Sequence, residues 1–246
     1  MSEKYRFTYF ALWAKGPAPA LALAFSGLEW VGDDAGTGEK LQHSKSEWHG
    51  KNKATAAWNL LPNLDVIDDG IKIGHEGAIL NFIGRKVPSM AGETDKDFAA
   101  SQQLFFVGED IYNKLVAIVD TTFQAKGKDK ERESFWGMSN ENTHNYQYGI
   151  RVYLKQLQDF YNQCGFDEKD GKFTSSGTTI GECKLFSSLH ACAMIKGEDL
   201  FRDFDCVLSF YKRFLNEKAT QSIISDGGNY PYVFSQYFVE TASNKS

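Results

Sequence analysis

Apolar and polar residues alternate at the start of the chain. Tyr5, Phe7 and Tyr9 interleave with Arg6, Thr8 and Phe10, a period of two that predicts a first strand. Pro17 and Pro19 suit the first turn of a helix, where a missing N–H costs least. Ala20 to Phe25 continue that helix, and Gly27 offers its C-cap. Leu28-Glu29-Trp30-Val31 predicts a second strand. Leu64, Val66 and Ile67, then Ile71 and Ile73, are the apolar members of two further strands, joined through Asp68-Asp69-Gly70 as a hairpin turn. The period then changes: Ala78, Ile79, Phe82 and Ile83 fall at helical spacing just after Gly74-His75-Glu76. The order is β-α-β-β-β-α, a small mixed sheet with helices. Residues 32–57 are Gly-rich and polar and read as a loop, with one short helical piece near Glu47 to Ala57.

Val87-Pro88-Ser89-Met90-Ala91-Gly92 interrupts the pattern, and everything after it reads as helical. This predicts a first domain over 1–86, a linker over 87–91 and an all-helical domain over 92–246. Phe98, Leu104, Phe105, Val107, Ile111, Leu115 and Ile118 recur at threes and fours. Residues 125–145 are charged and read as a solvated helix end and loop. Helices are expected near 146–163, 180–195, 200–215 and 218–224. Thr179-Ile180-Gly181-Glu182 has capping-box spacing ahead of Leu185, Phe186 and Leu189. The aromatic tail after Gly228 is expected to pack back on the helices.

Composition narrows the class. At 246 residues, with 42% hydrophobic and 24% charged, the chain is globular, and 19 Phe supply a large core. A net charge of −5 argues against a broad nucleic-acid surface. No apolar run approaches the roughly 18 residues of a membrane span. Met1 to Arg6 holds no apolar signal core. Cys164, Cys183, Cys192 and Cys206 form no Cys-x-x-Cys pair, which suits reduced thiols and a cytoplasmic setting and gives no metal motif.

Leu61-Pro62-Asn63-Leu64, Asp69-Gly70 and His75-Glu76-Gly77-Ala78-Ile79 together resemble the glutathione-binding end of cytosolic glutathione S-transferases. That family carries Leu/Ile-Pro-x-Leu with a cis proline, then Asp-Gly, then Gln/Glu-Ser-x-Ala-Ile. Phe7-Thr8-Tyr9-Phe10 is similar to the Leu-Thr-Tyr-Phe of the tyrosine-type, sigma- and mu-like members, and Thr179 to Glu182 resembles their Thr-x-Ala-Asp capping box. The resemblance implies a thioredoxin-like α/β domain followed by an all-α domain, glutathione as co-substrate and a twofold homodimer.

It also implies site residues. Tyr9 would donate a hydrogen bond to the glutathione sulfur; a thiol of pKa about 8.5 is mostly protonated at neutral pH, and stabilising its anion makes it a nucleophile. Leu61, before Pro62, would pair its backbone with the cysteinyl part of the ligand. Trp48, Lys51 and Lys53 fall where the family holds the glycyl carboxylate. Three polar anchors are altered. His75-Glu76 replaces Gln/Glu-Ser at the helix start that would hold the γ-glutamyl carboxylate. Trp13 replaces an Arg, leaving Lys15 as the nearby cation. Gln102 stands where an acidic residue of the partner subunit is expected. Glu76 is expected to cap its own helix or to oppose the ligand carboxylate. Trp13, Phe10 and the helical domain are expected to shape a pocket for a hydrophobic electrophile. The function expected is glutathione transfer to electrophilic small molecules. The alternatives are a non-catalytic relative serving as scaffold or subunit, and a binder of another small ligand whose cationic group faces Glu76.

Overall fold

A computed structural model of the protein describes residues 4–35, 48, 53–119, 128–137, 149–165, 170–225 and 234. Four strands form one sheet in the order β2-β1-β3-β4. They are β1 (Tyr5–Tyr9), β2 (Trp30–Asp34), β3 (Asn63–Val66) and β4 (Ile71–Gly74). β1 lies parallel to β2 and antiparallel to β3, and β3 lies antiparallel to β4. Between β1 and β2 runs α1 (Pro17–Ser26), which ends on Gly27 at φ 71, the left-handed C-cap that glycine adopts without penalty.

The alternation in β1 sorts the sheet. Tyr5, Phe7 and Tyr9 are buried, with Tyr5 edge-on to Phe82 and Phe7 edge-on to Trp30. Phe82 belongs to α2 (Glu76–Lys86), so this face of the sheet is the core face. β2 differs from the expectation. It begins at Trp30 and runs on through Gly32, Asp33 and Asp34, because Phe7, Thr8 and Tyr9 of β1 supply ladder partners for them. Backbone pairing here outweighs the poor strand propensity of Gly and Asp. Of the expected helical piece near 47–57, the described part is two tight turns, Lys53–Thr55 and Ala57–Asn59.

The remaining helices are α3 (Pro88–Ala91), α4 (Asp95–Ala117), α5 (Asp129–Trp136), α6 (Ile150–Cys164), α7 (Ile180–Lys196), α8 (Asp205–Asn216) and α9 (Lys218–Ile224). The segment read as a linker thus holds one helical turn. The charged stretch 125–145 holds α5, whose Phe135 is buried. α7 is the central helix: twelve of its first thirteen residues, Ile180 to Cys192, are buried, all but His190. It lies close along α4. A Cβ at Gly181 would sit 1.8 Å from the Ser101 carbonyl oxygen, and one at Gly108 would sit 3.0 Å from the Leu185 nitrogen. The capping box forms as predicted, with the Thr179 hydroxyl accepting from Glu182 N–H and Glu182 accepting from Thr179 N–H.

The two halves of the chain share one apolar core. Phe25 of α1 packs 5.1 Å from Phe214 of α8. Trp13 is 1% exposed and donates from Nε1 to the Ser187 carbonyl at 2.9 Å. It also meets His190 at 4.6 Å and Phe234 at 6.3 Å. Trp13 therefore fills the seam between the β1–α1 loop and α7, rather than lining open space for an electrophile. Of the aromatic tail, the described residue Phe234 is buried against this seam. All four cysteines are free thiols. Among the described residues no helix is long and apolar enough to cross a membrane, and no His, Cys, Asp and Glu group forms a metal site.

Candidate functional site

A cleft of about 320 Å³ opens where β3 begins and α2 starts. Lys15, Leu61, Pro62, His75, Glu76, Gly77, Phe105 and Glu109 line it. The Leu61–Pro62 bond is cis, as the resemblance implies. His75 is the N-cap residue of α2 at φ 68 and ψ 130, and its side chain makes no capping hydrogen bond. The first N–H groups of α2 have no partner inside the helix, and the helix dipole adds partial positive charge there.

Glu76 neither caps α2 nor projects outward. It is 5% exposed and turns into the protein, where Lys184 of α7 reaches both its oxygens at 2.9 and 2.8 Å. Lys15 Nζ stands 3.3 Å from the same carboxylate and bonds to Glu109 Oε1. Lys184 Nζ also lies 2.8 Å from Glu109 Oε2, a charge contact without hydrogen-bond alignment. The Tyr112 ring sits beneath both cations, 4.4 Å from Lys15 Nζ and 4.8 Å from Lys184 Nζ. Two carboxylates and two ammonium groups thus form a neutral quartet. Burial pushes the Glu109 carboxyl up, but Lys184 and Lys15 together outweigh this and hold it at about 2.

The expectation that Glu76 caps its own helix or opposes the ligand carboxylate is therefore corrected: its carboxylate pairs with Lys184 and Lys15. A buried carboxylate needs a charge partner, and the sequence supplies one 108 positions away. Lys184 and Glu109 were missed by sequence reasoning. The available signal was a lysine, Lys184, between Cys183 and Leu185-Phe186 on a helix read as core, where a buried Lys must be paired.

Tyr9 lies just behind the cleft. It is 7% exposed, and its hydroxyl accepts a hydrogen bond from Lys15 N–H at 3.0 Å. Gly16 allows this arrangement, since a Cβ there would lie 2.1 Å from the Tyr9 ring. The structure brings Lys15, Leu61, Pro62, His75 and Glu76 together around the cleft, and Tyr9, Trp48, Lys53 and Gln102 do not line it. Trp48 lines a second cavity with Arg6, Thr8, Asp33, Asn63, Asp65 and Lys72. Lys53 is exposed in its turn, and Gln102 is half-buried on α4. Lys51 lies outside the described residues.

No family model matches the chain, and no curated protein matches it by sequence. Solved structures do match. Prostaglandin synthase D of Nilaparvata lugens shares 16% identity over 89% of this chain and 96% of its own, with a TM-score of 0.65. The glutathione S-transferase from Ascaris lumbricoides shares 17% over 93% of this chain and 100% of its own, with a TM-score of 0.62. Monomeric Na-GST-3, a glutathione S-transferase of the hookworm Necator americanus, shares 19% over 89% of this chain and 95% of its own, with a TM-score of 0.66. Identities this low speak to architecture alone. The sheet order, the helices that follow it and these likenesses agree that the chain has the glutathione S-transferase fold, a thioredoxin-like α/β unit followed by an all-helical one.

Proposed function

We propose that the protein binds glutathione in the cleft and transfers its thiolate to hydrophobic electrophiles. The observation that carries this is the meeting, in one cleft, of the Leu61 backbone, the uncapped start of α2 and Lys15. Leu61 would pair with the cysteinyl peptide, and the α2 N–H groups would receive the γ-glutamyl carboxylate. Tyr9 would donate to the sulfur while accepting from Lys15 N–H. Residues 1–86 then form the glutathione-holding unit, 87–91 the link and 92–246 the helical unit. A reducing, cytoplasmic setting suits the free thiols. A second copy of the chain as a twofold partner belongs to the same reading.

A second reading is a non-catalytic member of the fold. It is favoured by the absence of Tyr9 from the cleft lining and by Glu76 in place of a hydroxyl donor. A titration with glutathione followed by conjugation of an aryl halide separates the two. Transfer predicts binding, turnover and a loss of more than about tenfold in turnover for Tyr9→Phe with affinity little changed. Binding with no turnover favours the second reading. No binding rejects the glutathione assignment.

A further inference from the structure

Lys184 is 1% exposed and sits on the central helix of the all-helical unit. Its ammonium nonetheless reaches both carboxylates named in the cleft lining, Glu76 and Glu109. A buried lysine so placed does more than join two halves of a chain.

We propose that Lys184 is a positioning residue for ligand binding: it neutralises Glu76 and Glu109 from beneath and so keeps the α2 N-terminus receptive to a carboxylate. The inference rests on the glutathione reading of the cleft. With Lys184 present, Glu76, Glu109, Lys15 and Lys184 sum to zero. Without its charge the same floor carries one net negative charge a few ångströms from an incoming carboxylate. Lys15 does not compensate alone, because it already contacts both carboxylates. Glu76 then becomes the repelling anion that its place at the helix start suggests, so the residue that makes Glu76 tolerable lies in a different half of the molecule.

Four proteins test this: the unaltered chain, Glu76→Gln, Lys184→Met and the double variant Lys184→Met with Glu76→Gln. The double variant keeps the quartet neutral and leaves no unpaired buried carboxylate at position 76, so it folds even where Lys184→Met alone is crippled. Glutathione is titrated calorimetrically at pH 7.5. The expected order is Glu76→Gln tightest, the unaltered chain and the double variant within about threefold of each other, and Lys184→Met weaker by at least about tenfold.

A Lys184→Met protein that binds like the unaltered chain overturns the proposal. So does a double variant as weak as Lys184→Met, since the loss would then follow the fold and not the charge. Carboxyl NMR of Glu109 in the ligand-free proteins supplies a readout that needs no glutathione. Its midpoint should rise by about one unit or more in Lys184→Met. If no protein binds glutathione yet that midpoint rises, the glutathione reading has failed and the charge-setting role of Lys184 stands. If the midpoint stays put, the proposal is wrong whatever binds.

Discussion

Among the described residues, two helices carry a buried glutamate in the first turn, Glu76 in α2 and Glu182 in α7, and the two do opposite things. At the start of α7, Glu182 is spent locally. It accepts from Thr179 N–H at 3.0 Å and from Phe173 N–H at 3.1 Å, with Arg213 at 3.4 Å. Thr179 holds an ordinary N-cap backbone at φ −106 and ψ 165. At the start of α2, Glu76 gives the helix nothing. It turns inward to Lys184 and Lys15, and the N-cap residue His75 sits at φ 68 without a capping bond. A closed helix start is a structural joint. An open one, with its acid drawn away and its backbone strained, is where a ligand anion fits.

The contrast breaks most visibly if Glu76 loses its remote partner. Lys184→Met should destabilise the fold by about 3–5 kcal/mol, as breaking one side of a buried ion pair does. Replacing both Lys184 and Glu76 with neutral residues should recover most of that. Urea unfolding of the two variants measures it, and equal losses would mean that packing, not charge, sets the cost.

Part of the acid limb of stability should also belong to the cleft. Glu109 has a folded value of about 2 against an ordinary 4.5. Its folded value is the lower one, so its contribution is present above pH about 4.5 and lost as pH falls toward 2. Two and a half units correspond to at most about 3 kcal/mol, and less because the side chain is partly exposed. Glu109→Gln should flatten the unfolding profile between those limits; an unchanged slope would place the acid sensitivity elsewhere.

Smaller effects separate the two helix starts themselves. Thr179→Ala should cost about 1 kcal/mol by loss of the cap. His75→Gly should gain about 1 kcal/mol, since glycine holds a positive φ without strain. A gain from Thr179→Ala, or a loss from His75→Gly, would reverse the assignment of which start is closed.

What the sequence disclosed follows the same division. The capping box at Thr179 was readable because both partners lie within four residues. The β1 face was readable because alternation in Tyr5, Phe7 and Tyr9 needs no distant information. The extra length of β2 through Asp33 and Asp34 was not, because it depends on ladder partners in β1 rather than on its own residues. Leu61, Pro62, Lys15, His75 and Glu76 could be named from motif resemblance, and the structure gathers them in one cleft. The role of Glu76 could not be read, because it is decided by a lysine 108 positions on. Trp13 was misplaced for the same reason: its fate depends on Ser187 and His190 of α7.

The most direct test of the open start of α2 is the response of its first backbone amides to glutathione. In an ¹⁵N-resolved titration, the Gly77 and Ala78 amide signals should move and saturate with the affinity that calorimetry gives. Signals that stay still while glutathione binds, or no binding at all up to about 10 mM, would contradict the account.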